Sequence, residues 1–365
     1  MLRLVQSPAS ARHLRLDRTL LAAEWLLDSG ICRPGFGIAD EYRTDGREYA
    51  PVSNKAIACY VSTLIWLFKT RGETRYIDRA LTTAQYLSQS ALVMYVSAPT
   101  SETASDRQID SRLDECSAIL RALLRCWHVG QHSEFLTRAI ECANFMQRIP
   151  GRCPLESTRG WLELAEETGN RRLQELHCHV LGWSLTVYPE FLEFGDRKTT
   201  VSPAAFGTKT ARLPSTTLLA RHCGFLEALL PTLERPGDQS RAARAFEKVF
   251  ALTSAGLRSL SSEAVSGNTV PTEVCARLLR LRLYAAALGL IKLDADQAQY
   301  EAGIIGEMQA DQYDPRIRGG FYTGGHSTIF ERVVGLAATA VSLQALTQWQ
   351  QFRNGDFRPD LAQLI

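Results

Sequence analysis

An excess of charge of either sign is missing from this chain. Its 365 residues carry 41 lysines and arginines against 39 aspartates and glutamates, a net charge of +2. No basic footprint for nucleic acid or an anionic membrane surface is therefore expected. Long apolar runs are also missing. The longest, Val333 to Leu346, is too short to span a bilayer and is interrupted by Thr339, Ser342 and Gln344. The start, Met1 to Arg18, has no continuous apolar core, and Arg3, Arg12, Arg15 and Arg18 are spread through it, so it does not read as a signal peptide. Cysteine is sparse and odd in number: nine at irregular spacing imply buried free thiols in a reducing compartment rather than a disulfide framework. Neither a Gly-x-Ser-x-Gly elbow nor a His-Glu-x-x-His helix occurs, which removes support for serine hydrolase and zinc protease chemistry. The glycines around 319–325 are not followed by the Lys-Ser/Thr pair of a phosphate loop. With 45% hydrophobic and 22% charged residues, what remains is a soluble, cytoplasmic globular protein, for which no cofactor or metal is expected.

What is present is helix. Leu20, Leu21, Trp25 and Leu26 form one apolar face at helical spacing; Ile57, Val61, Leu64, Ile65 and Phe68 form another. Leu113, Ile119, Leu120, Leu123, Leu124 and Trp127 form a third. Strand-like alternation is scarce, with Ala91–Ser97 the best case. Short polar or glycine turns recur at Gly72, Gly130, Gly169 and Gly237 and at Leu293–Asp296, each joining two helices back to back. The spacing predicts five hairpins over about 54–90, 111–148, 157–184, 216–260 and 271–311. Two helices are left over, about 16–29 and 327–351. If these pair with each other, the twelve helices make six hairpins, and the chain is a single all-α (α/α)6 toroid over 1–365 with peripheral tails at 1–15 and 353–365. An open helical solenoid would instead call for polar capping repeats, whereas both terminal helices carry an apolar face.

The connections between hairpins are long, about 30–53, 91–110, 185–215 and 312–326, and long loops in compact domains are usually functional. In a toroid they share one face with the N-termini of the inner helices, whose partial positive charge suits carboxylates and anions.

Two segments resemble the six-hairpin glycosidase superfamily and related (α/α)6 proteins acting on sugars. These include unsaturated-uronyl hydrolases, the N-acylglucosamine 2-epimerase group and helical domains found with bacterial polysaccharide gene clusters. One segment is Gly35-Phe-Gly-Ile-Ala-Asp-Glu-Tyr42 with Tyr49-Ala-Pro-Val-Ser-Asn54; the other is Asp314-Pro-Arg-Ile-Arg-Gly-Gly-Phe-Tyr322 with His326-Ser-Thr. The resemblance implies a carbohydrate-active protein of hydrolase, lyase or epimerase type that takes a sugar or oligosaccharide as ligand. The toroidal terpene cyclases carry Asp-x-Asp-Asp and Asp-Asp-x-x-Asp signatures, and the lanthionine cyclases Cys-His-Gly and Trp-Cys; none of these stands here.

Candidate site residues follow from the long loops. Asp110 and Asp114, with Glu115, fall at the expected start of an inner helix, two carboxylates one turn apart, suited either to acid–base work or to helix capping. Asp40, Glu41, Tyr42 and Asp45 mix carboxylates with an aromatic ring, as sugar hydroxyls and C–H faces require; the alternative is ordinary loop polarity. Arg316, Arg318, Phe321, Tyr322, His326 and Glu331 bracket the last loop, with His326 a proton shuttle and the arginines partners for a uronate carboxylate; otherwise this is a flexible turn with an N-cap at Ser327. The catalytic set is therefore Asp110 or Asp114 working with Asp40, Glu41 or His326. His177-Cys178-His179 and His222-Cys223 read as packing rather than zinc, and Arg277, Arg280 and Arg282 as a solvated or salt-bridged fringe. A non-catalytic scaffold, in which the carboxylates are caps and the loops grip a partner, is the rival from another class. A toroidal cyclase with an apolar substrate is the third.

Overall fold

The computed structural model describes residues 8–33, 37–91, 106–148, 155–193, 215–234, 239–263, 269–326, 329–330 and 332–365. Among the described residues there are twelve α-helices, as the periodicity predicts. They are α1 (Pro8–Asp28), α2 (Asn54–Arg71), α3 (Thr74–Tyr86), α4 (Asp106–Gly130), α5 (Ser133–Gln147) and α6 (Arg159–Thr168). There follow α7 (Arg171–Glu193), α8 (Ser215–Glu234), α9 (Gln239–Glu263), α10 (Thr272–Ala287), α11 (Ala295–Glu307) and α12 (Leu336–Asn354). Nine short strands accompany them: β1 (Cys32–Arg33), β2 (Gly37–Ile38), β3 (Glu41–Arg43), β4 (Glu48–Tyr49), β5 (Val270–Pro271), β6 (Phe321–Tyr322), β7 (Gly324–His326), β8 (Ile329–Phe330) and β9 (Val333–Gly335).

The chain forms two compact units. One comprises Met1–Val52, Leu257–Tyr284 and Lys292–Arg358; the other comprises Ser53–Gly256, Ala285–Ile291 and Pro359–Ile365. In the second unit α2 packs on α3, α4 on α5 and α6 on α7, around buried Tyr60, Leu64, Leu120, Phe135 and Trp161. Gly72 ends α2 in the left-handed region (φ 74°), its N–H bonded to Phe68 O at 2.7 Å. Gly130 differs from expectation: the left-handed residue is Gln131 (φ 55°), and a Cβ at Gly130 would crowd only side chains, His132 Cδ2 at 2.9 Å and Leu81 Cδ2 at 3.1 Å. The two histidines considered for zinc are buried. His177 Nδ1 lies 2.8 Å from Thr158 Oγ1 and His222 Nδ1 3.2 Å from Thr253 Oγ1, one pair in each of two hairpins. Burial holds the pKa of His222 down at about 4. No group of His, Cys, Asp and Glu suited to a metal occurs among the described residues, and the eight described cysteines are free.

In the first unit α1 packs against α12, so the two leftover helices pair as the count requires, and α11 packs against α12. Strands β4, β3, β9 and β6 form an antiparallel sheet with Glu41 opposite Gly335 and Gly335 opposite Phe321. This joins the long connections 30–53 and 312–326. A second sheet, β5-β7-β8, leads directly into α10. Gly319 (φ 93°) lets the last loop run beside α1; a Cβ there would fall 2.3 Å from Leu21 O. The Trp25 indole N–H on α1 donates to Arg316 O in that loop at 2.8 Å.

Several boundaries depart from the sequence reading: α1 begins at Pro8, not 16, inside the expected tail 1–15, and α7 runs to Glu193, not 184. The helix α4 begins at Asp106, not 111, because a lone Ile109 among Asp106, Arg107, Gln108, Asp110, Ser111 and Arg112 gives too weak an apolar signal to mark its opening turns. The helix α12 begins at Leu336, not 327, because Ile329-Phe330 and Val333-Val334 are β-branched and aromatic residues that pair as strands. Of the strand-like Ala91–Ser97, Ala91 closes a π-helical turn and 92–97 lie outside the described residues. The arginines of α10 are no fringe. Arg280 is fully buried and donates to the Gln344 side-chain oxygen, and Arg282 forms a forked pair with buried Glu301 at 2.6 and 3.0 Å. Only Arg277 is a lateral ion pair, 3.7 Å from Glu273.

Candidate functional site

The helices α10 and α12 run in the same direction. Arg280 bonds Gln344 and the Gln348 amide donates to Tyr284 OH at 3.3 Å, both pairs separated by 64 residues, and a constant offset means parallel axes in register. Their N-termini therefore lie together. Two neighbours brace them. Thr339 Oγ1 donates to Gly335 O at 2.8 Å and accepts from Phe321 N at 2.9 Å; Thr272 N donates to Thr323 O at 3.0 Å. Leu336 N, at the start of α12, donates to Asp40 O at 2.8 Å, which fixes the first loop to the same spot.

Between these helix starts lies a cavity of about 220 Å³ lined by Asp40, Glu41, Glu273, Thr323, Gly335, Ala337 and Ala338. Three acidic residues are among its lining, and no lysine, arginine or histidine is. Each glutamate has a nearby guanidinium: Glu41 accepts from Arg43 Nε at 3.2 Å, and Glu273 faces Arg277. Gly335 leaves the cavity open, since a Cβ there would stand 2.7 Å from Thr323 Cγ2. Two helix N-termini, three acceptor groups and a threonine hydroxyl at one pocket make a site for a small polar ligand rich in donors.

Of the predicted residues, Asp40 and Glu41 are in this pocket. Asp45 is exposed and caps its own turn, accepting from Gly46 N at 2.8 Å. Tyr42 and Phe321, expected to present rings to a sugar, are instead buried at 1% and 0% exposure, because strand pairing turns them into the unit's core. Tyr42 packs on Tyr49 at 4.9 Å between centroids, and the Arg316 guanidinium lies 5.2 Å from its ring centre. Arg316 is committed to Asp314, with contacts of 2.6, 2.9 and 3.2 Å, which holds the Asp314 carboxyl below and the guanidinium above their ordinary pKa values. Arg318 is exposed. Tyr322 is buried and accepts from Gln312 Nε2 at 3.2 Å; desolvation and the charge of Asp311 raise its pKa. His326 sits in β7 opposite Ile329, not just before a helix, because the strands displace the start of α12; its side chain lies outside the described residues, as does Glu331.

Asp114 and Glu115 belong to the other unit. The early start of α4 puts Asp114 in its third turn rather than at its first, which removes the capping explanation; Asp114 Oδ1 accepts from Ser157 Oγ at 3.1 Å. Glu115 is half-buried, and the side chain of Asp110 lies outside the described residues. Glu273 escaped the sequence reading. Its position in the first turn of an inner helix, directly after Val270-Pro271, was the available signal.

No family model and no curated protein matches the chain. Solved structures do. A heparin-specific unsaturated glucuronyl hydrolase superposes with a TM-score of 0.67 at 10% identity, over 94% of this chain and 99% of its own. The cellobiose 2-epimerase of Spirochaeta thermophila DSM 6192 gives 0.62 at 13% identity, over 96% and 100%. A D-mannose isomerase gives 0.63 at 9% identity, over 96% and 100%. The fold these likenesses show is the (α/α)6 toroid. At such identities the likeness carries the fold, and the chemistry has to be argued from this chain's own residues.

Proposed function

We propose that the protein is a carbohydrate-active enzyme that binds a sugar unit at the pocket formed by Asp40, Glu41 and Glu273 and transforms it by carboxylate acid–base chemistry. The observation that carries this reading is the gathering of three acidic residues in the lining of a small cavity at the N-termini of two parallel helices. The volume is below the roughly 300 Å³ of sites for drug-sized ligands, which suits a single sugar unit. Carboxylate oxygens accept hydrogen bonds from adjacent hydroxyls and can take or return a proton at carbon or oxygen. The fold shared with a hydrolase, an epimerase and an isomerase of sugars supports the substrate class. Asp114, a carboxylate held by Ser157, is the second candidate for a catalytic acid or base.

The test is a panel of neutral, amino and uronic sugars and short oligosaccharides, assayed for binding and turnover with the wild type and with Asp40→Asn, Glu273→Gln and Asp114→Asn. An essential acid or base loses about 10²–10⁴ in turnover on amide replacement with folding intact. Full turnover in all three variants, or no sugar bound by the wild type, overturns the proposal.

A further inference from the structure

The segment Pro359–Ile365, expected as a peripheral tail, is docked in the second unit. Its 3-10 turn Leu361–Gln363 is capped by Asp360, whose Oδ1 accepts from Ala362 N at 3.1 Å. Leu361 and Leu364 are buried at 7% and 1% exposure. The carbonyls at the end of this turn meet guanidinium groups from two helices. Arg125 Nε and Nη2 donate to Ala362 O at 3.2 and 3.0 Å, and Arg125 Nη2 also donates to Leu364 O at 2.6 Å. Arg121, one turn earlier on α4, donates to Leu364 O, and Arg159 of α6 reaches Leu361 O at 3.4 Å.

Arg125 is the unusual member. It is 6% exposed, and all its hydrogen bonds go to neutral carbonyl oxygens. A buried guanidinium ordinarily has a carboxylate or phosphate in its fork, because a carbonyl satisfies the N–H donors without neutralising the charge. Its surroundings only partly compensate. Burial lowers its pKa, the more distant charge of Glu163 opposes this, Arg159 adds to it, and Asp360 acts only weakly. Arg159 itself is ion-paired with buried Glu227 at 3.9 Å, which leaves Arg125 as the member held by carbonyls alone. Three guanidiniums thus converge on oxygen atoms supplied by a short segment held in place by two leucines.

We propose that Arg125, with Arg121 and Arg159, forms a binding site for a small oxyanion, a phosphate or carboxylate group, and that the carbonyls of Leu361, Ala362 and Leu364 occupy it in the absence of that ligand. Two oxygens of an oxyanion would replace the carbonyls in the Arg125 fork with charge-assisted bonds, about twice as strong as neutral ones. Binding of the anion and docking of the segment are therefore mutually exclusive. An anionic metabolite or a phosphorylated sugar would release the segment from the unit.

The test uses the full chain at constant ionic strength, with inorganic phosphate and citrate as separate probes. The double variant Leu361→Ala/Leu364→Ala loosens the segment and leaves the arginines untouched. Calorimetric titration of this variant is expected to show saturable binding of one or both probes, stronger than in the wild type by about tenfold or more, since competition by the segment is removed. Adding Arg125→Gln is expected to abolish it. Phosphate alone points to a phosphorylated ligand, and citrate alone to a carboxylate. A folded double variant that binds neither probe, or binding unchanged by Arg125→Gln, overturns the proposal. If the double variant does not fold, hydrogen exchange in the wild type decides. Faster exchange of the 361–365 amides on adding a probe, with the rest of the unit unchanged, supports the site, and unaltered exchange of these amides rejects it.

Discussion

Arg280, fully buried on α10, donates to the side-chain oxygen of Gln344 on α12, sixty-four residues along the chain. One turn further on, Tyr284 and Gln348 repeat the pairing with the same offset. Polar side chains, not apolar ones, thus fix the register of the two helices whose first turns frame the pocket. A slip of either helix would place a buried guanidinium opposite Leu343 or Ala345, neither of which has a side-chain acceptor. Stability and site geometry are linked through this ladder.

The forked pair between Arg282 and Glu301 ties α10 to α11, with both side chains almost fully enclosed. Replacing Glu301 with Ala leaves a buried guanidinium without its carboxylate and should cost about 3–5 kcal/mol in denaturant unfolding. The exposed pair Arg75–Glu73 offers the control: Glu73→Ala should change stability by less than about 1 kcal/mol.

Acid should weaken the second unit through His222. Its folded pKa, about 4, lies below the ordinary 6.5, so the unfolded chain takes up the proton first as pH falls. The contribution is complete above pH 6.5, declines through the interval down to about 4 and is constant below, a total loss of up to about 3 kcal/mol. Urea unfolding measured between pH 7.5 and 4 should follow this profile, and His222→Gln should flatten that part of it.

Glycines 319 and 72 both adopt left-handed backbone, yet they should respond differently to alanine. At Gly72 nothing lies within 4 Å of an added Cβ, so only conformational strain of about 1 kcal/mol is expected. At Gly319 the methyl would meet backbone atoms of Leu21 at 2.3 and 2.6 Å. The loop must leave α1, and a loss of about 3 kcal/mol or more is expected from thermal melts.

Gly335→Val tests the cavity without touching a charge. Its φ of −103° accepts a side chain, but the added groups crowd Thr323 and fill the pocket between Glu41 and Ala338. Sugar binding should fall by about tenfold or more, while Tm drops only a few degrees. Unchanged affinity would place the ligand elsewhere.

Helices were legible in the sequence where one face is apolar: the hairpin at 54–90 was placed within a few residues because Ile57, Val61, Leu64 and Ile65 mark it. Mostly polar helix starts were not, and the opening turns of α4 carry only Ile109 as a mark. The short strands were illegible for another reason, since three residues such as Glu41–Arg43 have no readable periodicity and acquire structure only from a partner far away in the chain, Val333–Gly335. The same remoteness hid Glu273, whose importance lies in standing beside Asp40, and misassigned Arg280 and Arg282. Charge in a sequence reads as surface until the buried partner, Gln344 or Glu301, is known.

The pairing of α1 with α12 also has a consequence for how the chain is assembled. Trp25 and Arg316 meet across 291 residues, and Thr44 and Arg332 across 288. The hairpins of the second unit, by contrast, are made from neighbours in sequence. Local contacts form early, and contacts that close long loops follow once their entropy has been offset. During synthesis the α2–α7 hairpins can therefore consolidate while α12 is still untranslated. The first unit, built from three separate stretches, has to wait for the last of them, and α1 leaves the ribosome with its apolar face uncovered.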